Sequence, residues 1–395
     1  MSEGMSEWKE VTLDSVAIIN PFESLKKGDR AKKVAMEALK PFTKKPISFC
    51  TEEYSGGMKF RNGDTVIARI TPCLENGKTA YINFLDENEI GFGSTEYIIL
   101  REKESISDRQ FLYYFAISPI FKDVAILSMT GSSGRQRVQT EVVRKYLFKI
   151  PPLPEQKVIA SILSSLDDKI DLLHRQNKTL EAIAQTLFCQ CFIEEAQEDW
   201  RDGKISDLIE FNPKRQLSKG TVAPYLEMAS LSTSTFHPDS WYDRKFSSGT
   251  KFVNGDTLLA RITPCLENGK TAYVTFLDNN QVGWGSTEYI VMHPKDDLHP
   301  LFAYTLARNI DFREYAEGCL AGSSGRQRID GDHLINYQIK IPSAKIISKF
   351  NESAAAITPK LNFNSVQIRN LEKLRDNLLP KLINGEVRVK LLTEE

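Results

Sequence analysis

The sequence is most informative first in what it lacks. No run of about 18 apolar residues is present, so no membrane-crossing helix is expected. The opening MSEGMSEWKE is polar and acidic, unlike a secretory leader. Six cysteines (Cys50, Cys73, Cys189, Cys191, Cys265 and Cys319) do not form the spaced pairs of a zinc knuckle, and histidines number only 5. The expectation is therefore a reduced cytoplasmic protein without metal. Neither the full G-x-x-x-x-G-K-[ST] phosphate loop nor a G-x-G-x-x-G fingerprint occurs, so a motor or a dinucleotide enzyme is not indicated. Charge of one sign is not in excess either. Lys and Arg total 51, Asp and Glu total 52, and the net charge is −1. That excludes an indiscriminate polyanion binder but not a locally basic face. One basic stretch contains Lys26, Lys27, Arg30, Lys32, Lys33, Lys40, Lys44 and Lys45 against Asp29 and Glu37. Taken alone, such a stretch is more often a solvated face than a nucleic-acid contact.

What the chain does have is itself, twice. ARITPCLENGKTAY occupies 68–81 and recurs letter for letter at 260–273. At the same spacing of 192, GFGSTEYI at 91–98 returns as GWGSTEYI at 283–290, and Trp8 falls on Trp200. At a spacing of 191, GSSGRQR at 131–137 returns at 322–328. Such self-similarity marks a structural repeat. Short β-like runs (Asp64–Ile70, Thr79–Phe84, Tyr97–Leu100) lie between Gly, Asn and Pro turns, and a helix-like run covers Asp108–Ala116. The expected class is α+β: two homologous, strand-rich, mixed α/β domains at 1–152 and 196–343. A long helix at 153–195 and a C-terminal one at 344–395 separate and follow them.

The first long helix shows a seam of Ile159, Leu163, Leu166, Ile170, Leu173, Asn177, Leu180, Ala184, Leu187 and Cys191, in alternating steps of four and three. The second repeats it as Phe350, Ala354, Ile357, Leu361, Asn364, Ile368, Leu371, Arg375, Leu378 and Leu382. Pro359 and Pro380 predict a kink or break in it. An isolated helix of that length needs a partner for its stripe. Pairing Ile159 with Leu382 in an antiparallel coiled coil sets Asn177 opposite Asn364. A parallel pair would leave each amide against an apolar side chain, at a cost of about 1–3 kcal/mol. Two similar domains on an antiparallel pair imply a pseudo-two-fold. Duplex DNA has the same local symmetry, with a turn of about 34–36 Å.

At this point the chain resembles the specificity subunits of type I restriction-modification systems. GDTVIARI at 63–70, GDTLLARI at 255–262, STEY at 94–97 and 286–289, and PPLPEQKVIASIL at 151–163 carry the resemblance, in order and duplicated. The resemblance implies two target recognition domains, each reading half of a split double-stranded DNA site, and no catalysis by this subunit. It also implies two modification (methyltransferase) subunits as partners, carrying S-adenosylmethionine and methylating adenine. Restriction/translocase subunits would be added for cleavage. One departure stands out: PPLPEQ at 151–156 becomes IPSAKI at 341–346, so partner docking at the two helix starts need not be symmetric. The likeness of the domains suggests a near-palindromic target, and the divergent segments 26–50 and 218–242 are where any difference in bases read is expected.

The candidate DNA contacts are the duplicated loops. Ser132, Ser133, Arg135, Gln136 and Arg137, with Ser323, Ser324, Arg326, Gln327 and Arg328, combine tight turns with side chains that bind phosphate, guanine or adenine edges. The plainer reading is a surface turn whose arginines pair with nearby carboxylates. Arg69 and Arg261 read either as strand-end contacts or as internal structural arginines. Lys78 and Lys270 follow Asn-Gly dipeptides expected to form tight hairpin turns, and fit phosphate contacts or solvated turn ends equally. Glu96 and Glu288 suit either cytosine N4 or the bracing of an arginine. A metal nuclease built on Asp64, Glu75 and Lys78 is set aside, because their spacing does not gather them on one strand face. The main alternative is a duplicated protein–protein adaptor without sequence-specific DNA reading.

Overall fold

The computed structural model describes residues 7–41, 43–132, 134–196, 200–295, 297–322 and 325–389. The chain packs as two compact units: Met1–Ile170 with Asn370–Glu395, and Asp171–Arg369. Both long helices therefore contribute to each unit.

In the first unit, β1 (Lys9–Thr12) pairs antiparallel with β10 (Leu147–Ile150), tying the two ends of the domain together. A four-stranded sheet has the order β2 (Ala17–Ile19), β9 (Tyr97–Glu102), β6 (Thr65–Ala68), β7 (Thr79–Tyr81). A second has the order β4 (Cys50–Glu53), β3 (Arg30–Val34), β8 (Gly91–Gly93), β5 (Lys59–Phe60). Within β6 and β9 the residues are apolar without alternation, because both faces are covered. Val66 and Ile99 point into a core shared with Val34 and Phe60 of the second sheet. Their neighbours Ile67 and Ile98 point the other way, into a core with the helix Arg109–Ile117 and the long helices. Each unit is thus three layers: sheet, sheet, helices. Gly91 and Gly93 are glycines for room, since a Cβ would lie 2.4 Å from the rings of Phe60 and Tyr97 respectively. They are sheet glycines, not a cofactor loop.

The second unit repeats the same two orders. They are β12 (Ile209–Phe211), β19 (Tyr289–Pro294), β16 (Thr257–Ala260), β17 (Thr271–Tyr273), and β14 (Tyr242–Lys245), β13 (Val222–Leu226), β18 (Gly283–Gly285), β15 (Thr250–Phe252). The remaining pair is β11 (Asp202–Lys204) with β20 (Gln338–Lys340).

The Asn-Gly dipeptides do something other than expected. Ten residues, 69–78, connect β6 to β7, so Asn76-Gly77 is not a two-residue hairpin. Lys78 N–H bonds the Cys73 carbonyl and Gly77 N–H the Leu74 carbonyl, with Gly77 at φ 73°. That is the Schellman closure of a helical turn, in which the left-handed residue is glycine. Gly269 repeats it at φ 68°.

The first long helix spans Leu153–Cys189 and then widens through Gln190–Glu194, where Glu195 N–H reaches back five residues to Gln190. The second spans Ala344–Ile383 without a break. A break at Pro359 or Pro380 does not occur. Each proline removes one helical hydrogen bond, but the seam around it is anchored: Leu361 is 0% exposed and Leu382 2%. Tertiary burial outweighs a local cost of about 3 kcal/mol.

Within the second unit the helices run in opposite order. Asn364 Nδ2 donates to Asn177 Oδ1 at 2.9 Å, while Lys349 pairs with Glu195 at 3.1 Å. The first unit shows the same sense, with Arg375 bonding Asp167 at 2.8 Å and Arg388 bonding Glu155 at 2.7 Å. Arg375, a polar member of the apolar seam, is satisfied this way; Asp167 also accepts from Tyr114 Oη at 2.6 Å.

The PPLPEQ signature is used inside the first unit. Buried Glu155 binds Arg388 and accepts from Trp8 Nε1. Gln156 is 1% exposed; it donates to the Ile106 and Pro151 carbonyls and accepts from Asp108 N–H. Asp108 in turn caps the helix Arg109–Ile117 through the N–H groups of Gln110 and Phe111. At the repeat spacing of 191, one residue on from the IPSAKI pairing, Ile346 and Ile347 stand at these positions in the second copy. They pack against the second unit's core instead.

Candidate nucleic-acid interface

In each domain the duplicated glycine-serine-arginine segment closes as a loop on the end of the central strand. Thr130 and Arg137 exchange backbone hydrogen bonds at 3.0 and 2.9 Å, and Arg135 N–H bonds the Ser132 carbonyl. Gly131 and Gly134 take φ of 128° and 78°, which L side chains adopt rarely. The base of the loop is stitched to the segment after β6: Thr71 N–H to the Gln136 carbonyl, Val138 N–H to the Arg69 carbonyl. The second copy repeats these bonds between Thr263 and Gln327 and between Ile329 and Arg261.

The arginines divide into two kinds. Arg137 and Arg69 converge on one carboxylate: Glu96 accepts from Arg137 at 2.7 Å and from Arg69 Nε at 3.2 Å. Arg328, Arg261 and Glu288 repeat the cluster at 2.9 and 3.2 Å. Arg137 beside Glu96 holds that carboxyl below its ordinary range, against an opposing push from burial, with Arg69 helping. The glutamates in STEY therefore brace arginines, one of the two roles open from the sequence. Arg135 and Arg326 differ. Both are exposed, and among the described residues neither side chain has a hydrogen-bond or ion-pair partner. Their guanidinium groups project beside a rigid clasp. The side-chain amides of Gln136 and Gln327 are half-buried and also make no hydrogen bond among the described residues.

Ser132 is exposed on the loop, whereas Ser133, Ser323 and Ser324 lie outside the described residues. The two lysines are engaged within the fold. Lys78 Nζ donates to the Met36 carbonyl and Lys270 Nζ to the Met228 carbonyl, each at 3.0 Å. These contacts tie the β6–β7 connection to the turn that follows β3, or β13. Asp64 is committed within the fold: it is 1% exposed, clamped by Arg101 Nε and Nη2 at 2.7 Å each. Among the described residues no group of three or more His, Cys, Asp or Glu is placed to hold a metal ion, and no helix is long and apolar enough to cross a membrane.

Sequence reading missed a second feature. In the second unit a cavity of about 300 Å³ is lined by Arg215, Lys251, Arg261, Thr250 and Thr287, among others. Only Arg261 stood out in the sequence. Lys251 is itself duplicated as Lys59, a signal that went unweighed.

Two sheet-rich domains with the same strand order, each joined to the same pair of long helices, each present two clasped arginines and one that is exposed and, among the described residues, unpartnered. Residues 5–182 match the family described as "Type I restriction modification DNA specificity domain". The letter-for-letter repeat makes the second domain similar to the matched segment as well. Over 208 residues it is 31% identical to the type I restriction enzyme EcoAI specificity subunit of Escherichia coli, covering 49% of this chain but 35% of the relative. A longer match, 22% identical over 405 residues and spanning 83% and 87% of the two chains, is to the HindI specificity subunit of Haemophilus influenzae. In fold the chain is similar to the S subunit of a type I system from M. genitalium: TM-score 0.55, 16% identity, 95% of this chain and 96% of that one.

Proposed function

We propose that this protein is the non-catalytic DNA-reading subunit of a type I restriction-modification complex, recognising a bipartite duplex site with one half-site per domain. The observation that carries the reading is the repetition, in both domains, of an exposed arginine beside a braced one. Arg135 and Arg326 are exposed and, among the described residues, unpartnered; Arg69, Glu96, Arg137 and their copies form ion pairs at the base of the loops. An exposed guanidinium beside a braced one suits phosphate or guanine contacts. An adaptor has no use for two such loops.

An approximate two-fold relation between the domains is part of the proposal, and would present the loops to one duplex in opposite senses. The half-sites would be related but not identical, because the exposed edge strands differ in charge. Cys50, Glu52 and Glu53 in β4 correspond to Tyr242, Arg244 and Lys245 in β14. Lys33 bonds Glu52 in the first domain, whereas Arg244 lies over the Tyr225 ring in the second.

Methylation and cleavage would belong to partner subunits, with S-adenosylmethionine on the modification subunits. Exposed Leu172, Ile183, Phe363 and Val366 on the long helices of the second unit supply apolar surface for such partners. The test is selection from random duplexes by the subunit with its modification partners, followed by footprinting. Two protected patches with an unread gap are expected. Binding without sequence preference would favour the adaptor.

A further inference from the structure

We infer that the cavity in the second unit lined by Arg215, Lys251 and Arg261 is a phosphate-binding site without an equal in the first unit. The inference rests on the DNA-reading proposal only for the source of the phosphate, not for the site itself. Three cationic side chains and two threonines line a space of about 300 Å³, and no carboxylate is among the lining residues. Arg215 reaches Asp256 through one amino group at 3.3 Å, while its Nε is buried without a hydrogen-bond partner. An unmet donor on a charged group is costly in a finished fold. The guanidinium donors not engaged by Asp256 are left for an anion in the cavity. Lys251 Nζ makes one weak bond, 3.3 Å to the Arg215 carbonyl, and retains donors for a ligand. Arg261 uses its Nε on Glu288, leaving its terminal amino groups. Planar guanidinium forks with an ammonium match a tetrahedral oxyanion.

The first domain cannot form the same site. At the repeat spacing of 192, Arg215 corresponds to Glu23 and Thr250 to Met58. Glu23 is buried between Arg61 and Arg101, at 2.6 Å from each. A carboxylate thus stands where the second unit has a guanidinium, and repels an anion. Because Arg261 also belongs to the clasp that holds the Arg326 loop, a DNA backbone phosphate is one natural occupant. A free phosphate is the other.

Two arms separate the sources. In the first, the full-length chain is titrated with inorganic phosphate at constant ionic strength and its thermal midpoint followed. The wild type is expected to be stabilised, and R215Q and K251Q to lose that response. In the second, duplex binding by the complex is measured against salt. Each variant is expected to flatten the log–log slope by about 0.9, the loss of one phosphate contact. K251Q leaves the Asp256 network intact and guards against misfolding of R215Q. A response in the first arm alone identifies free phosphate, and in the second the DNA backbone. Unchanged behaviour of folded variants in both arms overturns the site. If the wild type binds no DNA at all, the DNA-reading proposal fails while the first arm still decides this one.

Discussion

Asn364 Nδ2 donates to Asn177 Oδ1 at 2.9 Å, with Asn364 0% exposed and Asn177 7%. Asn177 completes its side by donating to Ser365 Oγ at 3.1 Å. The pair fixes which residues of the two helices face each other, because a shift along either helix would strand an amide in an apolar seam.

Replacing either partner alone, Asn177→Ile or Asn364→Ile, deprives the other buried amide of its bond across the helix pair, and is expected to cost about 1–3 kcal/mol. The double variant should lose clearly less than the sum, by a coupling of about 0.5–3 kcal/mol. Equilibrium denaturation of the four proteins checks this; additive losses would show that the amides do not set the register.

Glu155 anchors the C-terminal segment. Removing Arg388 leaves a buried carboxylate facing only Trp8, and Arg388→Ala is expected to destabilise the first unit by about 3 kcal/mol. The double variant Glu155→Gln, Arg388→Ala should recover part of that loss. Limited proteolysis resolved by fragment would show the effect confined to the first unit, since the second copy has Ile346 there.

His237 supplies a pH signature in the second unit. It is 7% exposed and bonds Asn362 Oδ1 at 3.0 Å; burial pushes its pKa down to about 4. The unfolded chain binds a proton near pH 6.5 that the folded chain refuses. Stability is therefore full above about pH 6.5 and falls as pH drops toward about 4, by about 3 kcal/mol. His237→Gln should flatten thermal midpoints across that window; an unchanged slope would mean that the histidine accepts the proton in place.

The two kinds of arginine should separate binding from stability. Arg135→Ala and Arg326→Ala are expected to weaken duplex binding several-fold with unchanged thermal midpoints, since neither side chain supports the fold. Arg137→Ala should also lower the protection of the 130–137 loop in hydrogen exchange, because Glu96 loses its bidentate partner. Equal binding by Arg135→Ala and wild type would remove the free arginine from the interface.

How much of this was legible follows from the range of each signal. The duplication, the seam and the facing asparagines are periodic, and a period survives in a single sequence. Gly77 is different: its dipeptide suggested a hairpin, whereas the bond that decides its role comes from Cys73, inside a helical turn with no distinctive spacing. Glu96 and Arg137 lie 41 residues apart. Their pairing depends on a loop folding back onto the end of β6, which nothing in the local letters dictates. The unbroken helix through Pro359 shows the same limit, since local propensity yielded to packing supplied by distant residues. The pocket around Arg215 was invisible because its cations come from three separate segments.

The most direct test of the central claim is to map methylated adenines genome-wide in cells with and without this protein, the proposed modification subunits being present in both. Split-site reading predicts a motif that depends on the protein: two short, related but unequal half-sequences in inverted orientation, with a fixed unread gap. A methylation pattern that is unchanged by its loss, or a single contiguous motif, would contradict it.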